Sequence, residues 1–265
     1  MKTLFLAWQD RRPQSRAWHT IGWLQAEAFA SSNRLYRFGY TQGAMNAQRD
    51  AGLKPLESFP NFKSVYESHE LFPLFQNRLP SSTRKDFNEY LCQLDLKPDE
   101  VDPIEILSIT GGERKTDNLE VFPKIERSAS GMFRCKFFLH GWNHVSKPAQ
   151  EKIDTLKSGD SLSVAIELNN PATGSAIQLQ VRETTIHDNY HIIGWAPRYL
   201  VKDLLQAIAE HSQDIRAKVV KNNPPPVPFK QKILVELEGH WPQKYEPMSS
   251  KEFRPITTGK HWKLF

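Results

Sequence analysis

Polar and aromatic side chains follow an apolar stretch at three places in the second half of the chain. The first place is the run Gly141, Trp142, Asn143 and His144. Indole and imidazole rings can stack on nucleic-acid bases, and each stacked base contributes about 1–3 kcal/mol. Gly141, and Gly194 further along, allow close approach of the backbone to a neighbouring strand or to a ligand. We therefore predict a binding surface at this run.

The other two places are the turn at Asn169-Asn170-Pro171 and Arg198, which follows the strand predicted at 191–195. Asn169, Asn170 and Pro171 predict a turn, because Asn side chains bond neighbouring backbone groups and Pro fixes φ. We expect this turn to present its backbone amides outward. Basic side chains near it would neutralise phosphates. The predicted nucleic-acid-binding residues are Gly141, Trp142, Asn143, His144, Asn169, Asn170, Thr173 and Arg198.

Patterns typical of catalysis are weak in this sequence. The glycines at 111 and 112 lack the spacing of a phosphate loop. His140 and His144 would face one metal ion only on a helix, and they flank a strand end. The chain has no Gly-x-Ser-x-Gly or kinase pattern. We expect no enzyme activity, no metal and no cofactor.

The net charge of +5 is concentrated near the end of the chain. Residues 211–265 hold ten Lys and Arg against five Asp and Glu, with four aromatic residues among them: Trp241, Tyr245, Phe253 and Trp262. Such a tail could follow a phosphate backbone while its rings stack on bases. Alternatively, it is a solvated tail whose rings pack on the rest of the protein.

The composition is that of a globular protein that is not exported. Hydrophobic residues make up 39% and charged residues 25%. The start of the chain turns polar at Gln9, too early for a signal peptide, and no apolar run approaches the roughly 20 residues of a membrane span. Cys92 and Cys135 are interpreted as reduced core residues. We predict a cytoplasmic protein.

The length of 265 residues fits two domains. Residues 1–127 are predicted as a mixed α/β domain, with strands at 3–7, 21–24 and 34–40 and then short helices between prolines. Residues 132–222 alternate as strands at 132–139, 161–166, 176–181 and 191–195, with helices at 148–156 and 200–208. Residues 223–265 are predicted as an extended proline-rich linker, one strand at 232–238 that could pair back onto the second domain, and the basic aromatic tail. The fold class is α+β.

Three segments in order carry a resemblance to a known family. They are Phe138-Leu139-His140-Gly141, then Leu168-Asn169-Asn170-Pro171 with Ser175-Ala176-Ile177, and then Ile193-Gly194-Trp195-Ala196-Pro197. Over about 75 residues this order resembles the HIRAN domain, which is fused to Swi/Snf-type helicases and also found alone in bacteria. The resemblance implies a small β-barrel with two short helices that binds single-stranded DNA.

The sequence departs from that family at the Asn-Pro turn. Family members that capture a 3′ end continue the turn with an aromatic residue, which stacks on the terminal base, and an Asp, which engages the 3′-hydroxyl. Here these positions are Ala172 and Thr173. The resemblance therefore leaves open backbone or single-strand binding without end selection, and also loss of DNA binding.

The first domain has a second, fainter resemblance. It is similar to the N-terminal subdomain of HipA-like kinases, which packs on a kinase core. The segments that carry this resemblance are Leu4-Phe5-Leu6, Ile21-Gly22-Trp23-Leu24, Tyr36-Arg37-Phe38-Gly39-Tyr40 and Leu71-Phe72-Pro73-Leu74-Phe75.

Two functions follow as hypotheses. One is a non-catalytic DNA-binding accessory protein, and the other is a docking subunit of a bacterial defence or toxin-antitoxin type complex that holds a partner protein.

Overall fold

The structure, a computed structural model, describes residues 1–12, 15, 17–29, 33–184 and 188–257. This part of the chain is α+β and divides into two compact units. Unit one comprises Met1–Phe87, Asp99–Lys124 and the described residues from Met248 onward, and unit two comprises Asn88–Pro98 and Ile125–Pro247. Within the described ranges, no helix has the length and apolar character needed to cross a bilayer.

Unit one is built on a five-stranded antiparallel sheet with the order β4-β3-β2-β1-β5. Its strands are β1 Lys2–Gln9, β2 Trp18–Phe29, β3 Asn33–Tyr40, β4 Tyr66–Ser68 and β5 Leu119–Pro123. Alternating apolar residues of these strands reach a common core, in which Phe38 stacks on Phe59 with ring centroids 3.9 Å apart. The three strands predicted in this part of the sequence are confirmed.

Helices connect the strands of unit one. They are α1 Gln42–Ala51, α2 Pro73–Gln76 and α4 Pro103–Thr110, while α3 Phe87–Gln93 begins where unit one ends. Local sequence explains α4: the Asp102 side chain accepts a hydrogen bond from the Ile104 N–H, Pro103 occupies the first turn, and Gly111 ends the helix at φ 72°. Asp102 also pairs with Arg34 and Lys2.

Unit two contains a six-stranded antiparallel sheet with the order β6-β11-β10-β7-β8-β9. Its strands are β6 Met132–Phe138, β7 Ser161–Asn170, β8 Gly174–Thr184, β9 Asp188–Trp195, β10 Arg216–Asn222 and β11 Ile233–His240. Helix α5, Lys147–Thr155, buries Ala149 and Ile153. Helix α6, Arg198–His211, buries Leu200 and Leu204. The predicted strands and both predicted helices of this region are confirmed.

Backbone hydrogen bonds also join the two outer strands of this sheet at one point. His140, just after β6, and Trp195, the last residue of β9, exchange two N–H to C=O bonds of 2.9 Å each. The β6 and β9 ends are therefore adjacent although they stand at opposite ends of the strand order.

The end of the chain is partly as predicted: the strand after the prolines pairs back onto unit two, as the sequence allowed, whereas the preceding linker is not extended. Strand β11 pairs with both β6 and β10, so it lies inside the sheet of unit two. The segment between β10 and β11 bends at residues 225–227 and contains the 3-10 helix Phe229–Gln231, so the predicted extended polyproline conformation is wrong there. Hydrophobic burial explains this arrangement, because Leu234, Val235 and Leu237 leave water when β11 enters the sheet.

The aromatic residues of the predicted tail pack on the protein where the structure describes them. Trp241 stacks on Phe133 with centroids 4.0 Å apart, the Tyr245 hydroxyl donates to Asp203 Oδ1 at 2.6 Å, and Phe253 is buried. The fourth residue, Trp262, lies outside the described residues. Of the two cysteines, Cys135 is buried as predicted, whereas Cys92 is exposed and its predicted core position is wrong.

Candidate nucleic-acid interface

Gly141 and Gly194 serve the packing of the chain on itself. A Cβ on Gly141 would lie 2.7 Å from a ring carbon of Trp195, and a Cβ on Gly194 would lie 2.6 Å from the His140 carbonyl oxygen. Both residues also have positive φ, of 67° and 147°. Of the two roles left open by the sequence, close approach of a neighbouring strand is the one that the structure supports. Gly141 is therefore a packing residue beneath the loop.

The predicted turn at Asn169 and Asn170 forms the β7–β8 hairpin. Asn169 adopts φ 59°, a conformation that Asn tolerates better than most residues. Asn170 Oδ1 accepts hydrogen bonds from the Ala172 N–H at 3.0 Å and from the Thr173 N–H at 3.1 Å. The expectation that these amides point outward to a ligand is therefore wrong, because the Asn170 side chain already uses them.

A carboxylate links the hairpin to the end of β9. Trp195 Nε1 donates to Glu167 Oε2 at 2.5 Å, and Asn170 Nδ2 donates to the same oxygen at 3.1 Å. The bond from Trp195, and then that from Asn170, lowers the pKa of Glu167 and keeps it ionised. A negative charge beside Asn170 repels phosphates. The hairpin part of the predicted site is thus poorly suited to a polynucleotide.

The loop after β6 presents a pair of aromatic rings. Trp142, in the 3-10 helix Trp142–His144, stacks on Phe229 with ring centroids 4.8 Å apart and planes 29° apart. Trp142 Nε1 also donates to the Phe229 carbonyl oxygen at 3.0 Å. Phe229 is 53% exposed, so the ring pair reaches the protein surface. Asn143 and His144 are exposed beside it.

Two cations act on His140, the residue before this loop, and one of them follows Phe229 in the chain. Burial lowers the pKa of His140 to about 4, and the positive charges of Arg198 and then Lys230 act in the same direction. Both cations therefore lie within electrostatic range of this imidazole, which directly precedes Gly141. Lys230 also directly follows Phe229 in the chain. We call Trp142, Phe229, Lys230 and Arg198 the ring-cation surface.

The structure divides the predicted site residues into two groups. Gly141, Trp142, Asn143, His144 and Arg198 belong to the neighbourhood of the ring-cation surface, whereas Asn169, Asn170 and Thr173 belong to the hairpin beside Glu167. Sequence reasoning missed Phe229 and Lys230, which follow the proline stretch that was predicted as a spacer. The available signal was an aromatic residue followed by a basic residue after the prolines. However, Trp142, on which Phe229 stacks, is 87 positions away in the sequence.

Together, the fold and this surface define a two-unit α+β protein in which rings and cations gather on the second unit. No family model matches the chain, and searches among curated proteins and solved structures found no match. In the described ranges, no group of three or more His, Cys, Asp or Glu side chains is placed to hold a metal ion.

Proposed function

We propose that the protein is a non-catalytic accessory protein that binds single-stranded DNA through the ring-cation surface of unit two. The observation that carries this proposal is the stacked pair Trp142 and Phe229, which reaches the surface next to the exposed Lys230. Arg198 supports it as a second cation within electrostatic range of the preceding His140. Rings that stack on bases and cations that neutralise phosphates are the two components of sequence-tolerant single-strand binding.

The resemblance to the HIRAN domain supports the same function. The backbone bonds between His140 and Trp195 bring the two outer strands together, as a barrel-like module requires. Ile193, Gly194 and Trp195, which carry part of the resemblance, lie at that junction. We therefore propose a HIRAN-like barrel in unit two, with DNA on the side of the loop after β6.

End selection is not part of the proposal. In the hairpin, Ala172 and Thr173 replace the stacking ring and the carboxylate of end-capturing family members, and their N–H groups are bonded to Asn170. We expect similar affinity for single strands with free and with phosphorylated 3′ termini. A strand whose 3′ terminus is in a duplex should bind equally well if enough single strand remains.

Fluorescence anisotropy with labelled single strands tests the proposal. Affinity should fall between 50 and 200 mM salt, with a slope of log K against log salt of about 0.7 for each neutralised phosphate. Lys230→Gln and Arg198→Gln should each reduce that slope by about 0.7. Lys157→Gln, which removes an exposed charge elsewhere in unit two, is the matched control and should leave the slope unchanged. Absence of binding at low salt would refute the proposal.

A further inference from the structure

Strand β7 has an edge without a backbone partner along most of its length. Its ladder to β10 consists of Ser161 and Leu162, whereas its ladder to β8 continues to Asn170. Among the residues that the structure describes, no strand pairs with residues 163–170 on the β10 side. Most of β7 therefore has a free hydrogen-bonding edge.

The alternation of antiparallel hydrogen bonds identifies the groups that face this edge. Val219 N donates to Asp160 O, so Leu162, two residues later, directs its backbone groups toward β10. Continuing in steps of two, Val164, Ile166 and Leu168 direct their N–H and C=O groups to the open edge. The bond from Ala196 N to Ile177 O agrees, because Ile177, opposite Ile166, then bonds β9 rather than β7.

The same residues expose apolar side chains. Ile166 is 42% exposed and Leu168 is 72% exposed, although Ile177 opposite Ile166 is fully buried. The end of β7 that contains Ile166 and Leu168 therefore extends past the hydrophobic core of unit two. Open edges are usually protected by Lys, Pro or a bulge. Residues 163–168 contain no Lys, Arg or Pro, and the register shift of the β7–β8 ladder comes after them, between Leu168 and Asn170.

We infer that a second copy of this chain pairs with the open edge of β7, antiparallel and about a two-fold axis at Ile166. In this register Leu168 lies opposite Val164 of the second copy, and Ile166 lies opposite Ile166. The N–H and C=O groups that Val164, Ile166 and Leu168 direct to the open edge then form about six hydrogen bonds between the two copies. Glu167 lies opposite Ala165. A register centred one residue later would place Glu167 opposite Glu167, where like charges repel. In the register centred at Ile166, the hydrogen-bonding groups of the edge are self-complementary and no like charges lie opposite each other.

Sedimentation velocity of the full chain over a wide range of concentrations tests this inference. The wild-type protein should show a dimer that dissociates on dilution. Ile166→Pro removes a donor that faces the open edge and leaves the bonds to β8 intact, so it should give a monomer. Leu168→Lys places a charge opposite Val164 and should also give a monomer, and its exposed position should preserve the fold.

Met132→Lys is the matched control, because it adds the same charge at an exposed apolar residue of another strand in the same unit. This variant should remain dimeric. A wild-type monomer at all concentrations would overturn the inference, as would dimers that survive both β7 substitutions. The test does not depend on DNA binding, because Leu168→Lys should bind single strands as the wild-type protein does.

Discussion

At the scale of single residues, Trp142 and Phe229 combine a structural and a proposed binding role. Their stacking and the bond from Trp142 Nε1 to the Phe229 carbonyl fix the orientation of the indole ring. An aromatic pair contributes about 0.5–1.5 kcal/mol beyond the area that it buries. A fixed ring loses little entropy when a base stacks on it, and this favours binding.

Replacing Trp142 should show how much base stacking contributes to single-strand affinity, separately from phosphate neutralisation. We expect Trp142→Ala to weaken single-strand binding by about 5- to 150-fold, the equivalent of 1–3 kcal/mol for a stacked base. Trp142→Phe should keep most of the affinity, because a ring remains. Anisotropy titrations at constant salt measure both effects, and thermal unfolding controls for folding. Unchanged affinity in Trp142→Ala would place the DNA elsewhere.

His140 should make stability depend on pH. Its pKa is about 4 in the folded protein and 6.5 for an ordinary histidine, so the unfolded chain binds the proton more readily. The free energy of unfolding should therefore fall as pH decreases from 6.5 toward 4, by about 1–2 kcal/mol between pH 7 and pH 5. His140→Gln should lose this contribution. Urea unfolding of both proteins at the two pH values measures it, and parallel pH profiles would contradict it.

At the scale of elements, the β7–β8 hairpin shows how a sequence signal for a turn can be correct while its functional interpretation is not. Asn169 and Asn170 form the turn because one adopts positive φ and the other accepts bonds from the next two amides. The same bonds remove those amides from any ligand. The proposed site instead combines the loop between β6 and α5, which carries Trp142, with the 3-10 helix Phe229–Gln231 and the start of α6.

The effect of a substitution at Asn169 on the free energy of unfolding should depend on the positive φ of this residue. At φ 59°, Asn169→Gly should be nearly neutral, whereas Asn169→Val should cost about 1–2 kcal/mol because a β-branched side chain is disfavoured there. Chemical unfolding of the two variants gives the comparison. Equal stability of the Gly and Val variants would mean that the turn relaxes to another conformation.

At the scale of the whole molecule, the units are discontinuous in sequence. Unit one gains its last segment from Met248 onward, and Phe253 in that segment contacts Phe5 and Phe122 with centroids 4.9 and 6.5 Å apart. Unit two requires β11, which follows the prolines. A division of the chain at residue 222 therefore cuts through unit two rather than between units.

Truncation should reveal this organisation. A chain that ends at residue 222 lacks β11 between β6 and β10, so we expect loss of the unit-two sheet and a large decrease in cooperative unfolding. Phe253→Ala in the full chain should cost about 3–5 kcal/mol, as for other buried Phe residues. A chain that ends at residue 247 is the control, because it removes the unit-one segment but retains β11, and it should keep the unit-two sheet. Circular dichroism with thermal unfolding distinguishes these outcomes.

The sequence by itself determined most of the strands and helices, because alternation, helical spacing and the Asn-Pro turn are local properties. It also identified the loop from Gly141 to His144. Only the tertiary structure decided that Phe229 joins Trp142, that the two glycines pack against their own chain and that β11 completes the unit-two sheet. Those outcomes depend on contacts between distant residues, and local patterns do not specify the partner that a buried strand or ring will meet.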